Sequence, residues 1–143
     1  MRIYWRSYCG GFREALRSYG PADPAPALLG GYRHADLIMG STVGEVKTGR
    51  MDQPEYVDAL FTQLLTYILL ACHDGRPIND VVVYLARYGV LIRYLGQDLL
   101  EETAGRQADA VAAGSELAAV IRASETLGGV CSPGAGGRPA AAA

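Results

Sequence analysis

The alternation of apolar and polar positions is clearest in residues 35–49, ADLIMGSTVGEVKTG. It predicts two short strands, 32–39 and 42–48, joined by a tight turn at Gly40-Ser41. Placing Met39 opposite Thr42 sets Ile38 against Val43, Leu37 against Gly44 and Asp36 against Glu45. Directly opposed residues share a face, and so do residues two apart on one strand, so Asp36, Glu45 and Lys47 would converge. Opposed carboxylates repel and destabilise a sheet. A cation between them reverses that sign, and Mg²⁺ favours carboxylate oxygens plus water.

Elsewhere the period lengthens. Tyr4, Trp5, Tyr8, Phe12, Leu16 and Tyr19 recur at helical spacing, with a bend expected at Gly10-Gly11 and an end at Gly20-Pro21. Residues 21–26 read as a loop, and 27–31 as a short strand weakened by paired glycines. A second helix is expected from Asp52, a capping residue with Glu55 three positions on, to about His73 before Asp74-Gly75. Tyr56, Leu60, Gln63 and Tyr67 share a stripe on it. Residues 81–85 and 90–95 suit a hairpin, the first so apolar that both its faces should be covered. Residues 97–124 read as helix with weak points at Gly105 and Gly114. The Gly, Pro and Ala run from 128 has no packing pattern and is expected to be disordered. Residues 1–127 are then one domain. The element order predicts an α/β protein, a mixed β-sheet flanked by helices.

Charge and cysteine content narrow the picture. Thirteen Lys and Arg against fifteen Asp and Glu, a formal net charge of −2, argue against a generic polyanion binder. Arg2, Arg6, Arg13 and Arg17 nonetheless face only Glu14 in the first twenty residues, as either a local basic patch or a solvated helix face. Cys9, Cys72 and Cys131 are too scattered for a zinc site or a disulfide framework and suit a reducing, cytoplasmic compartment. The start of the chain has no signal-peptide pattern, and the longest apolar run, 64–72, is too short to span a bilayer. No membrane partner is expected.

Asp36-x8-Glu45-x-Lys47 resembles the core motif of the PD-(D/E)XK nuclease superfamily. Gln63-x3-Tyr67 on the following helix resembles the signature of its RecB-like branch. The stretches EVKTG, QLLTYILL and VYLARYGVLIRYL are similar to uncharacterised bacterial members, and the resemblance covers roughly residues 30–100. The proline that gives the superfamily its name is replaced by His34-Ala35. The resemblance implies a restriction-endonuclease-like core of αβββαβ type and a metal-dependent nuclease that hydrolyses phosphodiester bonds in DNA. It implies Mg²⁺, or Mn²⁺, held by Asp36, Glu45 and the backbone carbonyl of Val46. Lys47 would orient water or neutralise transition-state charge. Gln63 and Tyr67 would contact the substrate backbone or steady the catalytic groups, and Glu14 is the candidate acid on the first helix. The other reading is an inactive nuclease-like module that binds nucleic acid or a protein partner, with a homodimer as one form.

Plainer roles stand beside these. Asp36, Glu45 and Lys47 could be edge-strand charges in a surface ion pair. Gln63 could be a satisfied buried amide and Tyr67 a core aromatic. His34, opposite Lys47 in the proposed register, and His73, near a helix C-terminus, read as structural. Tyr84, Tyr88 and Tyr94 could stack on bases or pack the hairpin.

Overall fold

The structure, a computed structural model, describes residues 13–128. In chain order its elements are helix α1 (Arg13–Arg17), strands β1 (Ala22–Pro24) and β2 (Ala27–Leu28), and a 3₁₀ turn (Leu29–Gly31). Strands β3 (Arg33–His34), β4 (Leu37–Met39) and β5 (Thr42–Lys47) follow, then helix α2 (Pro54–His73). Strands β6 (Asp80–Leu85) and β7 (Val90–Leu95) lead to helices α3 (Gly96–Ala104) and α4 (Ala110–Gly128). The protein is mixed α/β: a five-stranded mixed sheet in the order β1-β4-β5-β6-β7 flanked by helices, with β2 and β3 as a separate pair.

The turn at Gly40 fixes the central register. Gly40 has φ +58°, in the left-handed region that favours glycine. Beyond it Met39 pairs with Thr42, Ile38 with Val43 and Leu37 with Gly44. From β5 the chain crosses through α2 to β6, which pairs with β5 in parallel. Alternation then divides the core. Val43, Val81 and Val83 face α2, where they meet Leu64 and Ile68, while Met39 and Val82 face Leu16 of α1.

Helix α2 is apolar on much of its surface because it touches both the sheet and α4. Its length and composition would suit a membrane span, yet Leu64, Tyr67, Ile68, Leu70 and Ala71 are buried in the protein core. Helices α2 and α4 approach closely at Gly114, where a Cβ would clash with the Leu69 carbonyl oxygen.

Several expectations are corrected. The expected 97–124 helix is two. Gly105, at φ +63°, ends α3, and the Asp109 carboxylate accepts from the Val111 and Ala112 N–H groups to start α4. Gly114 is no break but a contact point. The 21–26 loop contains strand β1, paired with β4 through Ala22–Met39, Asp23–Ile38 and Pro24–Leu37. The expected 27–31 strand stops at Leu28, and the expected 32–39 strand is broken between β3 and β4. Gln53, not Asp52, stands at the start of α2, with no side-chain cap; Asp52 pairs with Arg50. The bend at Gly10-Gly11, Arg2, Arg6, Cys9, Cys131 and the tail beyond Gly128 lie outside the described residues.

Candidate functional site

The polar end of β5 meets the middle of α2. Glu45 and Lys47 point the same way from the strand, toward Gln63 and Tyr67 one helical turn apart. Lys47 Nζ lies 2.5 Å from Glu45 Oε1 and donates to Gln63 Oε1 at 2.7 Å. Gln63 Nε2 donates to Glu45 Oε1 at 3.1 Å and to the Tyr67 hydroxyl at 2.6 Å. Only one amide orientation serves both neighbours, since the ammonium needs an acceptor and the carboxylate a donor.

Asp36 reaches this end of β5 from the loop before β4. It is exposed, and its Oδ2 accepts from the Val46 N–H at 2.8 Å. The expected ladder pair of Asp36 with Glu45 does not form, because β4 begins only at Leu37. The Asp36 side chain instead occupies the strand N–H beyond the ladder. The N–H and C=O of a strand residue point toward the same neighbour, so the Val46 carbonyl faces the side on which Asp36 stands.

Glu45 is 3% exposed, although ionised carboxylates are rarely buried so deeply. Its Oε2 is buried with no hydrogen-bond partner among the described residues. Burial raises its carboxyl above the ordinary glutamate range, and the negative charge of Asp36 adds to the rise. Lys47 and Gln63 oppose it by hydrogen bonding and charge. The cluster thus contains a desolvated carboxylate with one oxygen left over and a second acid near enough to repel it. Among the described residues no group of three or more His, Cys, Asp or Glu is placed to hold a metal ion. A cation here would be held by two carboxylates, backbone and water.

Asp36, Val46, Glu45, Lys47, Gln63 and Tyr67 are therefore brought together. Tyr67 is both core aromatic and hydrogen-bond partner, being 5% exposed. Glu14 is not brought in: α1 packs on the opposite face of the sheet, and Glu14 pairs with Arg17. His34 does not face Lys47. It pairs with Ala27, and its Nδ1 lies 3.2 Å from the Ala25 carbonyl. His73 sits 3.4 Å from both Ser115 and Arg122 of α4. Tyr94 packs edge-on against Phe61, and Tyr84 is buried. The Tyr88 hydroxyl accepts from the Met51 N–H at 3.4 Å.

Sequence reading gave no part to Arg50 and Met51, which line a cleft of about 590 Å³ together with Lys47, Tyr56 and Gln63. The available signal was the position of Tyr56, on the same helical stripe as Gln63 and Tyr67. A larger cleft, about 820 Å³, lies between the C-terminal end of α2 and the start of α4 and contains none of the candidate site residues.

Comparison of the chain with family models, curated proteins and solved structures returned no match.

Proposed function

We propose that the protein is a metal-dependent nuclease that hydrolyses phosphodiester bonds, with DNA as its substrate, on a restriction-endonuclease-like fold. Supporting the fold is an element order compatible with an αβββαβ core, α1, β1, β4, β5, α2, β6, with β2 and β3 inserted after β1 and with β7, α3 and α4 following. The observation that carries the reading is Glu45: a buried carboxylate with one oxygen unpartnered among the described residues, next to an ammonium and a second acid. Packing alone gives no reason to keep such a group.

These residues fit a small hard cation. Asp36 and Glu45 would hold Mg²⁺, or Mn²⁺ in its place, with the Val46 carbonyl. The few protein ligands suit magnesium, which retains several waters. The bound ion would supply Lewis acidity toward water and a phosphoryl oxygen. The chain's own groups do the rest. Lys47 presents a fixed positive charge beside the reacting phosphate, where charge builds up in the transition state. Gln63 holds the Lys47 ammonium and the Glu45 carboxylate at once, and the Tyr67 hydroxyl, accepting from Gln63, holds the amide. Asp36 is steadied by the Val46 N–H.

The test is cleavage of single- and double-stranded DNA and RNA with Mg²⁺ or Mn²⁺, by the wild type, Lys47→Ala and Asp36→Ala. Each variant should lose about 10²-fold or more in rate, the scale of removing one preorganised electrostatic group. Equal cleavage by all three would remove the assignment. Nucleic-acid binding with no cleavage by the wild type would favour an inactive module of the same fold.

A further inference from the structure

Between the end of β5 and the first turns of α2 lies the cleft of about 590 Å³ that opens on Lys47 and Gln63. Its volume is within the range of small-ligand sites. One wall is the loop of residues 48–53, tied to the β6–β7 turn where the Met51 N–H meets the Tyr88 hydroxyl. The other wall is α2. Met51 and Leu60 line it with apolar surface, Tyr56 stands on it 50% exposed, and Arg50 lies at its rim. Asp52 offsets part of that positive charge, but it engages one end of a guanidinium with five N–H donors, so it aims the group as well as neutralising it.

A half-exposed aromatic ring, apolar lining and two cations in one cleft match the parts of a nucleotide: a flat base and an anionic phosphate. A base stacked within a duplex has no free face to offer such a wall. We infer that this cleft is a subsite for one unpaired nucleotide of a single-stranded nucleic acid, its base against Tyr56 and its phosphate toward Arg50 and Lys47. The inference rests on the nuclease reading for its substrate class and goes beyond it by naming the strand form and the residues that select it. A strand seated in this way would lead its next phosphate to the Glu45–Lys47 cluster.

The experiment is equilibrium binding without divalent ions, by fluorescence anisotropy, on labelled single-stranded DNA, single-stranded RNA and a blunt DNA duplex. The wild type should prefer a single strand to the duplex by about ten-fold or more. Tyr56→Ala should weaken single-strand binding by about ten-fold, the scale of losing one base–aromatic stack. Tyr56→Phe should retain it, and neither change should affect the duplex. Arg50→Ala should reduce the slope of log affinity against log salt by roughly 0.7, one phosphate contact. The DNA and RNA arms report which sugar the subsite accepts. Equal single-strand binding by wild type and Tyr56→Ala, equal affinity for strand and duplex, or no single-strand binding at all would overturn the subsite. A wild type that fails to cleave while Tyr56→Ala still weakens binding would refute the nuclease reading alone. Cleavage with no Tyr56 effect on binding would refute the subsite alone.

Discussion

From Leu64 onward, α2 is seated mainly by apolar contacts: Leu64, Ile68 and Ala71 lie in the core cluster shared with the sheet, and the Leu69 backbone lies against Gly114. One residue earlier on the same helix the seat is polar, with Gln63 bonded to both Glu45 and Lys47. The two halves touch one layer of the protein yet put different demands on the chain. The apolar half needs volume and close approach. The polar half keeps a buried carboxylate only partly satisfied, a stability cost that a core without a task would lose.

Substitution at Gly114 should have the largest effect and break only the apolar half. Gly114→Ala puts a methyl against rigid backbone. A net loss of roughly 2 kcal/mol is expected even after about 1 kcal/mol gained in helix propensity. Urea unfolding would show it as a lower midpoint at unchanged slope, and an unchanged midpoint would mean that α2 and α4 do not approach there.

The polar half should answer to pH and cations. Burial lifts the Glu45 carboxyl above the ordinary glutamate range, so the folded protein binds this proton more tightly than the unfolded chain. Without divalent ions, its contribution to stability therefore falls as pH rises from the ordinary glutamate value through the raised one. Glu45→Gln should remove that slope. Magnesium at about ten times its Kd should stabilise the wild type by roughly 1.4 kcal/mol and the variant by none. Melting curves across pH, with and without magnesium, read both effects, and identical responses of the two proteins would sink the account.

Asp36→Asn should give the smallest change, a rise of roughly 0.5 kcal/mol in metal-free stability. It relieves repulsion of Glu45 while the side-chain oxygen still accepts from Val46 N–H. A lower melting temperature than wild type without metal would show that Asp36 does not oppose Glu45.

Where side-chain pattern governs the backbone, the fold was legible in the chain. The Gly40 turn fixes the β4–β5 register, the 20-residue helix follows its apolar stripe, and hairpin β6–β7 follows its β-branched residues. β1 was hidden because its three residues are all exposed and include Pro24, so the strand exists through backbone pairing that leaves no apolar signature. Asp52 has the right residue type for a cap, but Arg50 two positions back competes for its carboxylate. At the site, strand period put Glu45 and Lys47 on one face and helix spacing put Gln63 and Tyr67 on one stripe, while the meeting of the two surfaces depends on how α2 packs on the sheet. The role of Asp36 as partner of the Val46 N–H depends on where β4 starts, which alternation alone does not decide. The cleft beside Lys47 is formed by a loop of no regular period, and loop shape is set by tertiary contacts such as Tyr88 with Met51.

Gln63 has a consequence for how the helix docks at all. Apolar side chains such as Leu64 and Ile68 tolerate sliding, because one greasy neighbour replaces another. An amide that must meet an ammonium with its oxygen and a carboxylate with its nitrogen accepts a single axial position. Displacement by one turn would bring Ala59 or Tyr67 to that place, and neither offers both a donor and an acceptor in an amide's geometry. The cluster therefore acts as an alignment key for α2 on β5, and the chain loses both its docking phase and its site if that key is filed away.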